Sequence, residues 1–236
     1  PDAGQACSGY LVEHDGFRLL LDPGYAVVPR LLELVTADQI DAVFISHRHP
    51  DHCADLNPLL RARTLRDKPS APALPVYALP GATDAVLALD RPGMFDESYL
   101  PHQLIVERPF AIGPFQAETR LLSHWVPNIG VRLLAGGRVL AYTGDTGPVP
   151  EVVDLARDAD VLLADASYPD EVPEDSRQYL GSAREAGRQA HAAGVGCLLL
   201  THLLPGTDTA ASRAAAGEQY TGLIGIASAG LTTEVH

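Results

Sequence analysis

Three observations predict an α/β layered fold. Apolar runs of strand length recur along the chain, as in DAVFIS, VLLAD and CLLLTH. Several of them are followed by a stretch with apolar residues at helical spacing, which makes short βα units. Two pairs of runs are joined by tight turns instead, which makes hairpins. Together these imply mixed sheets covered by helices. No linker is long enough to divide the chain, so residues 1–236 are expected to form a single domain.

The elements follow in order. GYLVEHDGFRLLLDPG reads as a hairpin around His14-Asp15-Gly16. Residues 29–36 predict a short helix that Pro29 starts. DAVFIS is a buried strand that runs straight into HRHPDH at 47–52. Residues 54–66 are helical, with Leu56, Leu59 and Leu60 on one face. PALPVYALP, 72–80, is a strand between prolines, and 81–89 is a short helix. Residues 90–103 are the least regular stretch and read as a loop at the mouth of a site. Strands are expected at 104–107 and 115–122. VRLLAGGRVLAYTGD is a hairpin turning at Gly136-Gly137. A helix at 149–158, a strand at 161–165 and a helix at 182–193 come next. CLLLTH is a buried strand, 208–220 a helix, and LIGIAS the last strand.

Composition narrows the function classes. At 46% apolar and 20% charged, the 236 residues read as globular, with ample length for a core. No apolar run approaches the roughly 18 residues that a membrane span needs, so no membrane partner is expected. The opening PDAGQACSGY has no basic region ahead of an apolar stretch and does not read as a signal peptide. Thirty acidic against 17 basic residues give a net charge of −13. Such a surface disfavours long nucleic acids, which bind through Lys and Arg. It leaves room for a small anionic substrate drawn to a bound metal. Cys7, Cys53 and Cys197 are odd in number and lack paired spacing, so a reducing, cytoplasmic setting fits best. Cys197, within an apolar run, reads as core filler. Oligomeric state is left open, a homo-oligomer included.

The chemistry concentrates in HRHPDH. Imidazole and carboxylate are the usual ligands of zinc and its neighbours. A strand that ends in His47-x-His49 turns both rings to one side, and Asp51 and His52 follow in the turn that opens a helix. One six-residue segment does not easily close a coordination shell. Three further candidates each follow an apolar strand: His124 after TRLLS, Asp145 after VLAYTG and His202 after CLLLT. Strand ends on one edge of a sheet converge, and ligand sites favour that edge. Asp22, at the end of LLLD, and Ser46 are candidates to orient a ligand ring. Trp125 and Asn128, just after His124, could line the pocket or serve a core or a turn. Cys53 reads as packing at the helix start, and His14, His102, His191 and His236 as ordinary surface or structural histidines.

These motifs, in this order from about Gly9 to about Ala229, resemble the metallo-β-lactamase-fold hydrolases. SHWVPNIGVRL, LAYTGDTGP and LLADASYP are similar to the ribonuclease Z-like branch, and CSGYLVE…LLLDPG to its small bacterial members. The resemblance implies an αββα sandwich of two mixed sheets flanked by helices. It implies two divalent metal ions, zinc first, with manganese or iron as alternatives. His47, His49 and His124 would hold one ion, Asp51, His52 and His202 the other, and Asp145 would bridge them. Asp51 and Asp145 would place a metal-bridging hydroxide. The branch also carries a glutamate and a later histidine near the scissile phosphate. Asp165 matches the glutamate in kind, while YLGS stands where the histidine falls and offers Tyr179 as a substitute donor. The long basic arm that grips tRNA has no counterpart. The resemblance thus implies a phosphodiesterase on a small or short substrate such as a cyclic nucleotide. Hydrolysis of a thioester, lactone or β-lactam, a biosynthetic role, and an inactive metal-binding module are the alternatives.

Overall fold

The first hairpin forms because two β-prone runs flank a turn whose residues accept positive φ. Strands β1 (Tyr10–His14) and β2 (Phe17–Leu21) pair antiparallel, and Asp15 and Gly16 carry φ of 50° and 78° between them. The computed structural model describes residues 5–65 and 71–235. Arg66, the end of the helix predicted at 54–66, and His236 lie outside them.

By internal contacts the chain divides into two compact units. One runs to Ile105 and adds Ile112–Pro114; the other holds Val106–Ala111 and Phe115 onward. Each is built on its own mixed sheet.

In the first unit, β3 (Ala42–Phe44), β4 (Leu74–Ala78) and β5 (Tyr99–Gln103) continue the hairpin in parallel, giving the order β1-β2-β3-β4-β5. Helices α1 (Val27–Leu34), α2 (Pro50–Cys53), α3 (Leu56–Thr64) and α4 (Asp84–Leu87) fill the connections, with a 3₁₀ turn at Ala37–Gln39. Leu20, Val43, Leu74 and Val76 of the sheet pack on Leu31, Leu56, Leu59 and Leu60 of the helices. Leu19, Leu21 and Phe44 alternate to the opposite face and are also fully buried.

Several boundaries differ from the sequence reading. α1 starts at Val27, two residues before Pro29, because its cap is not local: Asp55 Oδ2, in the turn before α3, accepts the Val28 amide at 2.8 Å. The strand expected at 104–107 lies at 99–103, and the chain instead turns where Glu107 takes a φ of 65°. Part of the stretch predicted as a loop is therefore the edge strand β5, with His102 stacked on Tyr77 of β4 at 4.4 Å.

In the second unit, β6 (Phe110–Ile112), β7 (Phe115–Leu122), β8 (Asn128–Ala135), β9 (Arg138–Tyr142), β10 (Val161–Asp165), β11 (Cys197–Thr201) and β12 (Leu223–Ile226) make the order β12-β11-β10-β9-β8-β7-β6. β7, β8 and β9 are antiparallel, whereas β9 to β12 are parallel. Parallel neighbours need crossovers, and α5 (Pro150–Ala156), α6 (Ala183–Ala193) and α7 (Thr209–Gly217) supply them. Ser182 caps α6 by accepting Glu185 N, and Asp208 caps α7 by accepting Ala210 N. Ala141, Leu162, Ala164, Leu198 and Leu200 meet Val152, Leu155, Ala186, Ala190 and Ala216 in one core. The helices approach closely because Gly187 of α6 faces the Ala216 backbone, where a Cβ would sit 2.5 Å from the carbonyl oxygen. Cys197 is only half-buried, so it is not the core filler its apolar run suggests.

Tyr220 closes this core. Its hydroxyl donates to Val195 O at 2.7 Å, and burial pushes the phenol above its usual range. A raised folded-state pKa means that an unfolded tyrosine ionises first as pH rises. The hydroxyl's contribution is therefore whole below about pH 10 and fades above it. Tyr220→Phe is expected to cost about 1 kcal/mol at pH 8. In urea melts from pH 8 to 11, the gap between variant and parent should close; a constant gap would refute this.

Candidate metal centre

Both sheets deliver polar residues at the carboxyl ends of their strands. In the first unit, Leu21 of β2 pairs with Phe44 of β3, so Asp22 and the Ser46-His47 segment emerge side by side. In the second, Tyr142, Asp165 and Thr201 end the parallel strands β9, β10 and β11, so Asp145, Asp165 and His202 leave by one edge. β7 runs in the same direction as β9, which brings His124 out at that edge as well.

The first cluster is organised by Asp22. Its carboxylate is fully buried and accepts three hydrogen bonds: Ser46 N at 2.7 Å, Ser46 Oγ at 2.6 Å and His52 Nδ1 at 2.8 Å. Asp22 sits at φ 51°, a left-handed conformation that aspartate tolerates better than most residues. A carboxylate only accepts, so the single Ser46 hydroxyl proton goes to Asp22. Ser46 Oγ must then accept from His47 Nδ1, 3.0 Å away. Both rings are thereby fixed in orientation, with the hydrogen of Nδ1 committed and Nε2 turned away from Asp22 and Ser46. His47 Nε2 lies 3.1 Å from His49 Nδ1, so the two donor atoms turn to one point. Asp51 Oδ2 lies 3.7 Å from His52 Nε2. Asp22 and Ser46 thus hold the His47 and His52 rings.

Backbone packing sets this loop. Gly24 lies against Asp51 so closely that a Cβ would fall 1.9 Å from the Asp51 carbonyl oxygen and 2.7 Å from that of Ser8. Gly24→Ala must push the Asp51 segment away. Metal bound per chain, measured by atomic emission after dialysis, is expected to fall at least about 10-fold in affinity, as when an outer-shell partner is lost. Unchanged affinity would show that the loop tolerates the shift.

The second cluster repeats the device. Asp165 is fully buried and accepts Thr146 N at 3.0 Å, Gly181 N at 3.1 Å, Ser167 N at 2.9 Å and Ser167 Oγ at 2.7 Å. Burial pushes its carboxyl up, while His202 and the Ser167 hydroxyl pull it down. The Ser167 hydroxyl gives its proton to Asp165 and accepts from His202 Nδ1 at 2.8 Å. His202 Nε2 lies 3.3 Å from Asp145 Oδ2. His124 Nδ1 donates to the Tyr179 carbonyl at 2.7 Å, and its Nε2 lies 3.7 Å from Asp145 Oδ2. Asp145 therefore stands between the Nε2 atoms of two imidazoles. Asn128 is buried and braces its loop, donating to Thr143 O at 3.0 Å and Asp145 O at 2.7 Å. That settles Asn128 as a support rather than a pocket wall. His202 itself has a φ of 58°, a conformation that few side chains adopt without a compensating role.

The remaining residues separate cleanly. Asp165 acts through Ser167 on His202, and Tyr179 touches His124 through its carbonyl rather than its hydroxyl. Neither Ser167 nor the Tyr179 carbonyl is singled out by the sequence. Ser167 carries a faint signal, since Asp165-x-Ser167 at a strand end mirrors the Asp22–Ser46 pair; a backbone carbonyl carries none. Cys53 is buried, its thiol reaches Arg48 O at 3.4 Å, and burial with the charges of Asp22 and Asp51 pushes it up to about 12. It is held as a thiol and is no ligand in this state. His14 borders the first turn, and His191 lies in the last turn of α6.

The donor set suits a metal. Imidazole nitrogens and carboxylate oxygens are the ligands of zinc and its neighbours, and each of His47, His52, His124 and His202 has its other ring nitrogen tied to an acceptor, the arrangement that metal-ligating histidines show. Within the first unit His47 and His49, and Asp51 and His52, place donor atoms within 4.8 Å of each other. Within the second, Asp145 does so with His124 and with His202.

Residues 17–203 match the family model described as a β-lactamase superfamily domain. The chain belongs to that superfamily. Superfamily relatives extend over most of its length. A probable metallo-hydrolase, YhfI of Bacillus subtilis, is 32% identical over 206 residues, spanning 86% of this chain and 82% of that protein. A ribonuclease Z of Mycolicibacterium gilvum is 30% identical over 235 residues, spanning 87% and 80%. The crystal structure of YhfI, a metallo-β-lactamase fold protein, superposes with a TM-score of 0.89 at 29% identity, covering 99% of this chain and 94% of that one. Two mixed sheets flanked by helices are thus the superfamily's metallo-β-lactamase fold, and the chain is a metal-dependent hydrolase of that kind. No helix among the described residues is long and apolar enough to cross a membrane.

Proposed function

We propose that this hydrolase is a phosphodiesterase acting on a small anionic substrate, a cyclic nucleotide for example. The observation that carries the reading is the pair of matching relays, Asp22–Ser46–His47 and Asp165–Ser167–His202, each of which ties the Nδ1 of an imidazole and turns its Nε2 toward the other candidate ligands of its cluster. One such relay is an ordinary polar network; two, with His52 and His124 fixed alike, describe ligands prepared for metal. We read His47, His49 and His124 as holding one divalent ion, Asp51, His52 and His202 a second, and Asp145 as shared. Zinc fits the donors best. Bound there, the ions would polarise the electrophile and lower the pKa of an attacking water.

The chain's own residues do the rest. Asp51, at the start of α2 with its carboxylate half exposed, can take the proton of that water. Asp165 holds His202 in place rather than reaching the substrate. The Tyr179 hydroxyl remains the candidate donor to a leaving oxygen. The phosphodiester preference draws support from the ribonuclease Z relative, and the small substrate from the net charge of −13. We read residues 1–236 as a single domain, and a cytoplasmic setting agrees with three unpaired cysteines.

The test is a substrate panel on zinc- and manganese-loaded protein with metal counted per chain. Bis-nitrophenyl phosphate and cyclic nucleotides should turn over, with two ions bound. Turnover of acyl thioesters, lactones or a chromogenic β-lactam alone would overturn the phosphodiesterase reading. One ion or none would overturn the two-metal assignment.

A further inference from the structure

Trp125 is the sole tryptophan of the chain and directly follows a candidate ligand. Its side chain is 50% exposed, although indole is among the most valuable groups to bury. It is nonetheless firmly placed. Its ring meets His124 at 5.1 Å and 63°, and Tyr179 at 5.2 Å and 32°. His124 is pinned to the Tyr179 carbonyl, and the next residue, Val126, is buried. The aromatic pair is thus locked beside the imidazole from both ends, with half of the indole left open to solvent.

We propose that Trp125, backed by Tyr179, is a stacking platform that selects substrates carrying a planar heteroaromatic group, a nucleobase, next to the reacting phosphorus. The inference rests on the phosphodiesterase reading and names the substrate class for the same site. A base has two π-faces, and stacking on an aromatic side chain strengthens binding by about 5- to 100-fold per base. A net charge of −13 argues for one base on a small molecule rather than a polynucleotide strand. Stacking reads the face and not the edge of the base, so adenine and guanine should bind alike and both better than a sugar phosphate alone. Tyr179 supports the indole, and Trp125 is a specificity-determining residue rather than a participant in bond cleavage.

A single tryptophan makes the experiment direct, because selectively excited tryptophan emission reports this position alone. Zinc-loaded protein is titrated with adenosine monophosphate and, separately, with ribose 5-phosphate. Saturable quenching by the first and none by the second is expected. Equal quenching by both, or none by either, overturns the platform. In parallel, hydrolysis of a cyclic adenosine phosphate is compared with that of the same cyclic phosphate bearing methyl in place of the base, followed by phosphorus NMR. Trp125→Ala should raise KM for the nucleotide about 5- to 100-fold, far more than it lowers kcat, and leave the base-free compound's KM alone; Trp125→Phe should restore most of the loss. An equal KM effect on both compounds overturns the platform. If neither compound is hydrolysed by the parent while quenching is base-dependent, the phosphodiesterase reading fails and the platform stands.

Discussion

Asp51→Ala is expected to lower kcat/KM more than about 100-fold while the melting temperature stays within a degree or two of the parent. The two outcomes separate because the residue's structural work is done by its backbone. Its carbonyl accepts the Ser8 amide at 3.2 Å and is the atom against which Gly24 packs. Alanine preserves both. The side chain is 41% exposed, so little buried surface is lost. The helix dipole at the start of α2 favours an acid there by only a few tenths of a kcal/mol. The carboxylate's proposed role as ligand and proton acceptor is lost entirely, and direct ligands should exceed the 10- to 100-fold range of outer-shell partners. Kinetics on bis-nitrophenyl phosphate, a metal count and a thermal melt check the three parts together. Turnover that persists in the variant would refute the assigned chemistry.

The largest effect on stability is expected at Asp22. Asp22→Ala strands three buried donors, Ser46 N, Ser46 Oγ and His52 Nδ1, each costing about 1–3 kcal/mol when left without an acceptor. Alanine also fits poorly at φ 51°. A loss of at least about 3 kcal/mol follows, or about 6–12 °C in melting temperature for a chain of this length. Asp22→Asn separates folding from metal binding. It tolerates the backbone and keeps one acceptor oxygen, so its melting temperature should fall less. Its amide hydrogens, however, oppose a ring nitrogen that needs an acceptor, and zinc affinity should drop about 10- to 100-fold. Calorimetric zinc titration of both variants, beside their melts, decides the matter. An Asp22→Ala protein that melts within 2 °C of the parent would show that the three hydrogen bonds carry no net stability.

What the sequence reveals and hides follows from how local each signal is. Apolar runs show where the strands lie because strand burial is written residue by residue, as in VLLAD at β10. The polar residue that follows such a run stands out against it, so His47, Asp145 and His202 are visible as candidates. Signals that depend on distant partners are not. The start of α1 is set by Asp55, 27 residues from the amide it accepts. The edge strand β5 is short, contains Pro101 and is half exposed, so no alternation marks it. The acceptor for His124 is a peptide carbonyl 55 residues away, which no side-chain pattern can announce. Ligand atoms are legible because chemistry restricts their residue types, whereas the groups that aim them include backbone atoms that every residue has.

The fixed tautomers carry a consequence for how an ion is captured. His47, His52, His124 and His202 keep the hydrogen on Nδ1 when Nε2 binds, so none of these rings has to flip to receive zinc. Rotamer freedom that a flexible site would surrender at capture is already gone in the folded chain, with its cost met by folding. Loading should then order little of the chain, as for a rigid chelator rather than a peptide that folds around its metal.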